Sequence, residues 1–165
     1  MSERNLDTTP NKEHAKLEPL GFKGRIGRMR YVAWQFVLTL ALFLTWGLTA
    51  LTSTVSTTAS IWVFAISTLL LVIFRIRISA QRVHDFNSSA WMLLLYTVPL
   101  ANLYILILML VKPGNPSANI YGATAPPNNT SVKALFWLAV IFTFFTFVAS
   151  TALWITGVPG TFPTP

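Results

Sequence analysis

Between Arg30 and Arg75 the chain carries no Asp, Glu, Lys or Arg. A water-soluble domain does not leave so long a stretch uncharged, since about a quarter of its residues are normally charged. Within it, residues 31–52 form an uncharged apolar run. As a helix rising 1.5 Å per residue, ~20 such residues span the ~30 Å hydrocarbon layer of a bilayer. The connection at 52–60 is polar, uncharged and short, so the next helix returns antiparallel. Composition agrees: 53% of the 165 residues are hydrophobic and 10% are charged. These features describe an all-α, polytopic transmembrane helical bundle.

Four spans are expected, at about 31–52, 60–78, 90–111 and 134–155. Arg75 and Arg77 fall at the inner end of the second, their apolar stems in the membrane and their guanidinium groups reaching outward. That helix should continue to about residue 83. Asn87, Ser88 and Ser89 offer an N-cap to the third span. Pro99 lies near its middle, and a proline removes a backbone hydrogen bond and kinks a helix. One kinked span is the reading taken; the alternative, a re-entrant hairpin, would invert everything downstream. Residues 112–133, rich in Pro, Gly, Asn and Ser, form a turn-rich exit loop. The fourth helix is dense in aromatic residues, with Ala139, Thr143, Thr146 and Ser150 as a small-residue seam. By domain, residues 1–20 form a disordered cytoplasmic tail. Residues 21–127 form a membrane core with three spans, and 128–165 an added fourth span with a short tail.

Charge sets the orientation. Ten of the 12 Lys and Arg lie either before Tyr31 or between Arg75 and Arg82. Basic residues collect on the cytoplasmic side of a membrane, which places the N-terminus inside and, with four spans, the C-terminus inside too. The net charge of +7 then faces anionic headgroups at the cytoplasmic surface rather than nucleic acid, because it flanks apolar runs. The expected partners are membrane lipids, with a second copy or another membrane protein beside them. With no cysteine, disulfides, thiolate metal sites and a cysteine nucleophile are excluded.

Two constellations carry the polar chemistry. Phe22–Tyr31 places Arg25 and Arg28 at the mouth of the first helix, with Gly24 and Gly27 permitting tight turns. It reads as a positive anchor, worth ~1 kcal/mol per basic residue at an anionic surface, or as a headgroup site. The second is Gln81-Arg82-Val83-His84-Asp85. Four of the five acidic residues precede residue 20, so Asp85 is the one acid left to balance the basic residues around it. Arg82 and Asp85 are spaced i,i+3 and can pair on a helix. The sequence reads this group as an ion pair and hydrogen-bond cluster locking the second helix against the segment 24–30. A proton acceptor or metal ligand at His84 is the sharper alternative. Helical neighbours point ~100° apart, however, and only His14 could supply a second imidazole. No catalytic set, metal site or cofactor site is expected, and the chain reads as a non-enzyme. Arg25, Arg28, Arg82, His84 and Asp85 form the candidate structural or headgroup cluster.

A third segment, Lys112–Gly122, completes a pattern. Phe22, Gly24, Arg25, Arg28 and Tyr31 precede the first helix; Arg82, His84, Asp85, Ser89, Ala90 and Trp91 connect the second and third; Pro113, Gly114, Asn119, Tyr121 and Gly122 form the exit. Over residues 21–127 this order resembles the domain of unknown function 805 family of small bacterial inner-membrane proteins. Gln81, Met92 and Ile120 depart from it, and two of these departures replace a cation, which weakens an anion site at those positions. The resemblance implies location and architecture, a multi-pass protein of the bacterial inner membrane, but no substrate. Three functions compete: a structural, regulatory or lipid-interacting membrane component; a small transporter or channel subunit using a polar break at Pro99 and Asn102; and a membrane enzyme acting on a headgroup through His84. The first is preferred.

Overall fold

The computed structural model describes residues 24–156; the tail expected at 1–20 lies outside them. Among the described residues the chain is helical and has no strand. α1 runs Arg28–Ser53, α2 Thr57–Asp85, a 3-10 helix Ala90–Thr97, α3 Ala101–Val111 and α4 Thr130–Thr156. α1, α2 and α4 are long and apolar enough to cross a membrane. The chain therefore has the membrane-helix character expected, with three long helices rather than four among the described residues. The described residues divide into two compact units, 24–28 with 72–127 and 29–71 with 128–156.

The second unit holds most of α1, the first half of α2, and α4. Ala33, Phe36 and Leu38 are buried on α1, and Phe36 meets Phe142 of α4 edge-to-face at 5.6 Å, a favoured geometry for aromatic rings. Threonine hydroxyls are satisfied within the helix: Thr45 donates to the Ala41 carbonyl, Thr49 to Thr45, and Thr52 to Leu48. A hydroxyl facing hydrocarbon needs such a partner, because lipid supplies none. Of the α4 seam only Ala139 is buried; Thr143, Thr146 and Ser150 are exposed. Phe144, Phe145, Phe147 and Trp154 are exposed as well, a surface suited to lipid rather than water.

The first unit holds the rest of α2 and everything up to Pro127. α2 has 29 residues, about 43 Å at 1.5 Å per residue, so it outruns a ~30 Å hydrocarbon layer. It ends in a Schellman motif. Asn87 takes a left-handed backbone with φ 58°, its N–H donates to His84 and the Ser88 N–H to Val83. Asn tolerates that conformation, and the two bonds satisfy carbonyls left open by the last helical turn. Asn87 thus ends α2, and Ser89 caps the next element by accepting from the Trp91 N–H at 3.4 Å.

The third expected span is overturned. Segment 90–111 is not one kinked helix but two short elements packed on each other. The break spans Val98, Pro99 and Leu100, where Leu100 adopts φ 66°. Pro99 does more than kink, because the next residue leaves helical space altogether. The chain then folds back, and the Tyr96 hydroxyl reaches the Met109 sulfur at 3.3 Å. α3 returns to the end of α2, where Arg82 Nε donates to the Met109 carbonyl at 2.8 Å. The alternative reading, a hairpin, is the observed arrangement.

Candidate functional site

The return of α3 brings three distant stretches together: Gly24–Arg28, the last turn of α2, and the loop Lys112–Gly122. Asp85 lies at the centre. Its Oδ2 accepts from Arg82 Nη1 at 2.7 Å, one helical turn earlier, and its Oδ1 from Arg25 Nε at 3.3 Å. The side chains of both arginines are fully buried and that of Asp85 nearly so, at 3% exposure. A buried charge survives only when it is paired and hydrogen-bonded, so two guanidinium groups around one carboxylate leave a positive excess to satisfy.

Backbone carbonyls absorb it. Arg25 Nη1 donates to Ser117 at 2.7 Å and to Gly122 at 3.3 Å, while Nη2 donates to Asn115 at 2.6 Å and to the Asp85 carbonyl at 3.3 Å. Arg82 Nε and Nη2 take the carbonyls of Met109 and Lys112. These belong to the last turn of α3 and its C-cap, where carbonyls have no partner within the helix. Arg28, exposed, donates to a third α3-end carbonyl, Val111, at 3.0 Å. The planar, multidonor guanidinium suits this work, since a lysine offers one point of charge and no fixed fork.

The loop is shaped to the cluster. The Asn115 N–H donates to the Asp85 carbonyl at 2.8 Å. At Gly114 a Cβ would lie 2.0 Å from Asp85 Oδ2, so only glycine lets the loop pass the carboxylate. Asn119 donates its amide to the His84 carbonyl at 2.8 Å and accepts from the Tyr121 N–H at 2.9 Å. Asn119 and Gly122 exchange backbone bonds, both 3.0 Å, across a tight turn, and Gly122 has φ 121°, a value side chains resist. Tyr121 stacks on the His84 ring, centroids 3.9 Å apart and planes 7° from parallel. The exit loop therefore packs on the His84 end of α2, where a full span at 90–111 would have set the two apart.

Of the five candidate residues, Arg25, Arg82 and Asp85 share one ion-paired cluster. Arg28 sits at its edge on Val111. His84 stacks on Tyr121, and its buried Nδ1 has no hydrogen-bond partner among the described residues. Neighbours on a helix point about 100° apart, and the two side chains take different partners, Tyr121 for His84 and the two arginines for Asp85. No group of three His, Cys, Asp or Glu able to hold a metal occurs among the described residues. Sequence reasoning missed Gly114 and Asn119 as parts of the cluster. The signal available was their place in the third motif.

That motif order is shared. Residues 19–123 match the family model for the protein of unknown function DUF805. The chain belongs to the DUF805 family. The match ends before α4, and nothing among curated proteins or solved structures matches the chain. Its motif residues acquire physical roles here. Arg25, Arg82 and Asp85 carry the charge cluster, Gly114 gives it room, Gly122 supplies a positive-φ turn, and Asn119 and Tyr121 hold the His84 end of α2. Of the departures, Ile120 is exposed, at 80%, and Gln81 is buried, its backbone carbonyl accepting from the Ile26 N–H at 3.4 Å.

Proposed function

We propose that this DUF805 member is a non-enzymatic, multi-pass component of the bacterial inner membrane, structural, regulatory or lipid-interacting, with its N-terminus cytoplasmic. The observation that carries the reading is the commitment of both buried guanidinium groups. All three nitrogens of Arg25 and of Arg82 donate to Asp85 or to backbone carbonyls. Arginines engaged this way hold chain segments together and are not presented to a phosphate. Anionic headgroups fall instead to the exposed cations at the rim, Arg28 and Lys112. The transporter or channel reading has less support, since Asn102 lies on the exposed face of the hairpin and a water path past it would need a second copy.

Thermal melting of purified protein in detergent, with phosphatidylglycerol or phosphatidylcholine added, tests this. Asp85→Asn should lower the melting temperature equally in both lipids. Arg28→Gln with Lys112→Gln should remove the extra stabilisation by phosphatidylglycerol, and in phosphatidylcholine should lower melting less than Asp85→Asn does, by the loss of the Arg28–Val111 bond and the Lys112–Phe86 contact. If Asp85→Asn melts like wild type, or loses only the phosphatidylglycerol effect, the cluster is a headgroup site and the reading is wrong.

A further inference from the structure

The hairpin is shorter than a span and more apolar than a surface loop. Its first arm has 8 residues and its second 11. At ~2.0 Å per residue for a 3-10 helix and 1.5 Å for an α-helix, each arm is ~16 Å long. That is half of a ~30 Å hydrocarbon layer. Residues 90–111 contain no ionisable side chain but Tyr96 and Tyr104. Trp91, Leu94, Leu103, Tyr104 and Ile107 are exposed along both arms, so the apolar surface does not fold inward. Only Ile105 and Met109 are buried on α3.

The tip gives an independent indication. Among the described residues four have positive φ: Gly24, Asn87, Leu100 and Gly122. Glycine and asparagine are the residues that backbone tolerates, and three of the four positions use them. Those three are in the segments gathered around Asp85. The fourth, at the tip, is a leucine with 85% exposure. In water that choice loses twice, once in backbone strain and once in exposed apolar surface. In hydrocarbon the leucine side chain is favoured and an asparagine amide is penalised. The break satisfies part of its own backbone. Pro99 has no N–H to satisfy, the Val98 carbonyl accepts from Asn102 at 3.0 Å, the Leu100 carbonyl accepts from Tyr104 at 3.2 Å, and Thr97 donates its hydroxyl to Leu94 at 2.7 Å. Each such bond lowers the cost of placing irregular chain in the bilayer core.

The base carries the opposite chemistry. Arg28 and Lys112 are exposed there, and the Lys112 ammonium lies 4.7 Å from the centre of the Phe86 ring. Arg28 is also the first residue of α1 and donates to Val111, the last residue of the hairpin. Cations at the base suit anionic headgroups, and an apolar tip suits acyl chains.

From these observations we propose that residues 90–111 form a re-entrant hairpin that inserts into one leaflet, from the membrane face where α1 starts, with Val98–Leu100 at mid-bilayer. Its partner is the acyl-chain layer of that leaflet. The exit loop then lies on the same face as Arg25, and three crossing helices leave the end of α4 on the face opposite the start of α1. This replaces the expectation that both termini share a side. The proposal rests on the chain being a membrane protein, and the controls separate the two.

The chain has no cysteine, so single-cysteine variants of the full protein, reconstituted in sealed vesicles of phosphatidylethanolamine and phosphatidylglycerol, give the test. Thr58→Cys and Ser117→Cys are read with a membrane-impermeant maleimide. Leu100→Cys and Ile66→Cys carry a nitroxide read for collision with oxygen, which concentrates in lipid, and with a water-soluble nickel complex. The expected result is labelling of Thr58→Cys and Ser117→Cys from opposite faces, with oxygen contact and no nickel contact at Leu100→Cys. Labelling of both from one face makes 90–111 a full span and overturns the hairpin. Nickel contact at Leu100→Cys places the tip in water, and loss of both contacts buries it in protein; either overturns the lipid partner. Nickel contact at Ile66→Cys, on α2, would remove the membrane reading itself.

Discussion

Replacing Gly114 by alanine adds one methyl group, and the structure makes that methyl expensive. Its carbon would stand 2.0 Å from Asp85 Oδ2, 2.5 Å from Cγ and 2.7 Å from Oδ1, each well inside contact distance. The crowding can be relieved in two ways. The carboxylate can swing aside and loosen its bonds to Arg82 and Arg25 (2.7 and 3.3 Å). Breaking a buried ion pair costs about 3–5 kcal/mol. Or the loop can move away, which strains the Asn115 N–H bond to Asp85 and the Arg25 bonds to Asn115 and Ser117. At about 1 kcal/mol for the neutral bond and 1.5–3 for each charge-assisted one, losing all three costs about 4–7 kcal/mol. The chain takes the cheaper route, so Gly114→Ala should destabilise by about 3–5 kcal/mol. Chemical unfolding in mixed detergent measures it, with Gly27→Ala, where a Cβ meets nothing within 4 Å, as the control. A Gly114→Ala protein as stable as the Gly27→Ala control would refute the packing of this loop on Asp85. Adding Asp85→Asn to Gly114→Ala should cost less than the sum of the two, because both act on one contact.

Other expectations follow from single contacts. Asp85→Asn leaves two buried guanidinium groups without a counter-charge and should lower stability by about 3–5 kcal/mol, read as a fall in melting temperature. Asn87→Gly should be close to neutral while Asn87→Val destabilises by about 1–2 kcal/mol, since only the valine resists φ 58°; circular dichroism melting separates them. Tyr121→Ala should lose the stack on His84 and cost about 0.5–1.5 kcal/mol, with Tyr121→Phe retaining most of it. His84→Gln should leave α2 and the Arg25–Asp85 pair in place, which unchanged chemical shifts at the Arg25 guanidinium would register.

The long helices were legible because their signal is local: an uncharged apolar stretch is complete in itself. So was the Arg82–Asp85 pair, since i,i+3 spacing fixes it once a helix is granted. Segment 90–111 was not. A kinked span and a doubled-back hairpin share the same composition and the same Pro99, and what distinguishes them is a positive φ at Leu100 and bonds from Arg82 to the end of α3. The acceptors of those bonds are carbonyls, which every residue carries, so no side-chain pattern announces them. Arg25 is the extreme case, joined to Asn115 and Ser117 across ninety or more positions. Gly114 was visible as a turn residue beside a proline, but the collision that requires glycine depends on Asp85 arriving from another part of the chain.

The central claim is that Asp85 is clasped between Arg25 and Arg82. Solid-state NMR in bilayers tests it directly, using carbon-13 in the aspartate carboxyl groups and nitrogen-15 in arginine. The chain has two aspartates, Asp7 and Asp85, so Asp7→Asn leaves a single carboxyl signal. Strong transfer from guanidinium nitrogens to that carboxyl is expected, reduced by Arg25→Gln and by Arg82→Gln separately. A carboxyl that shows no transfer from arginine, or that responds to only one of the two substitutions, would contradict the clasp.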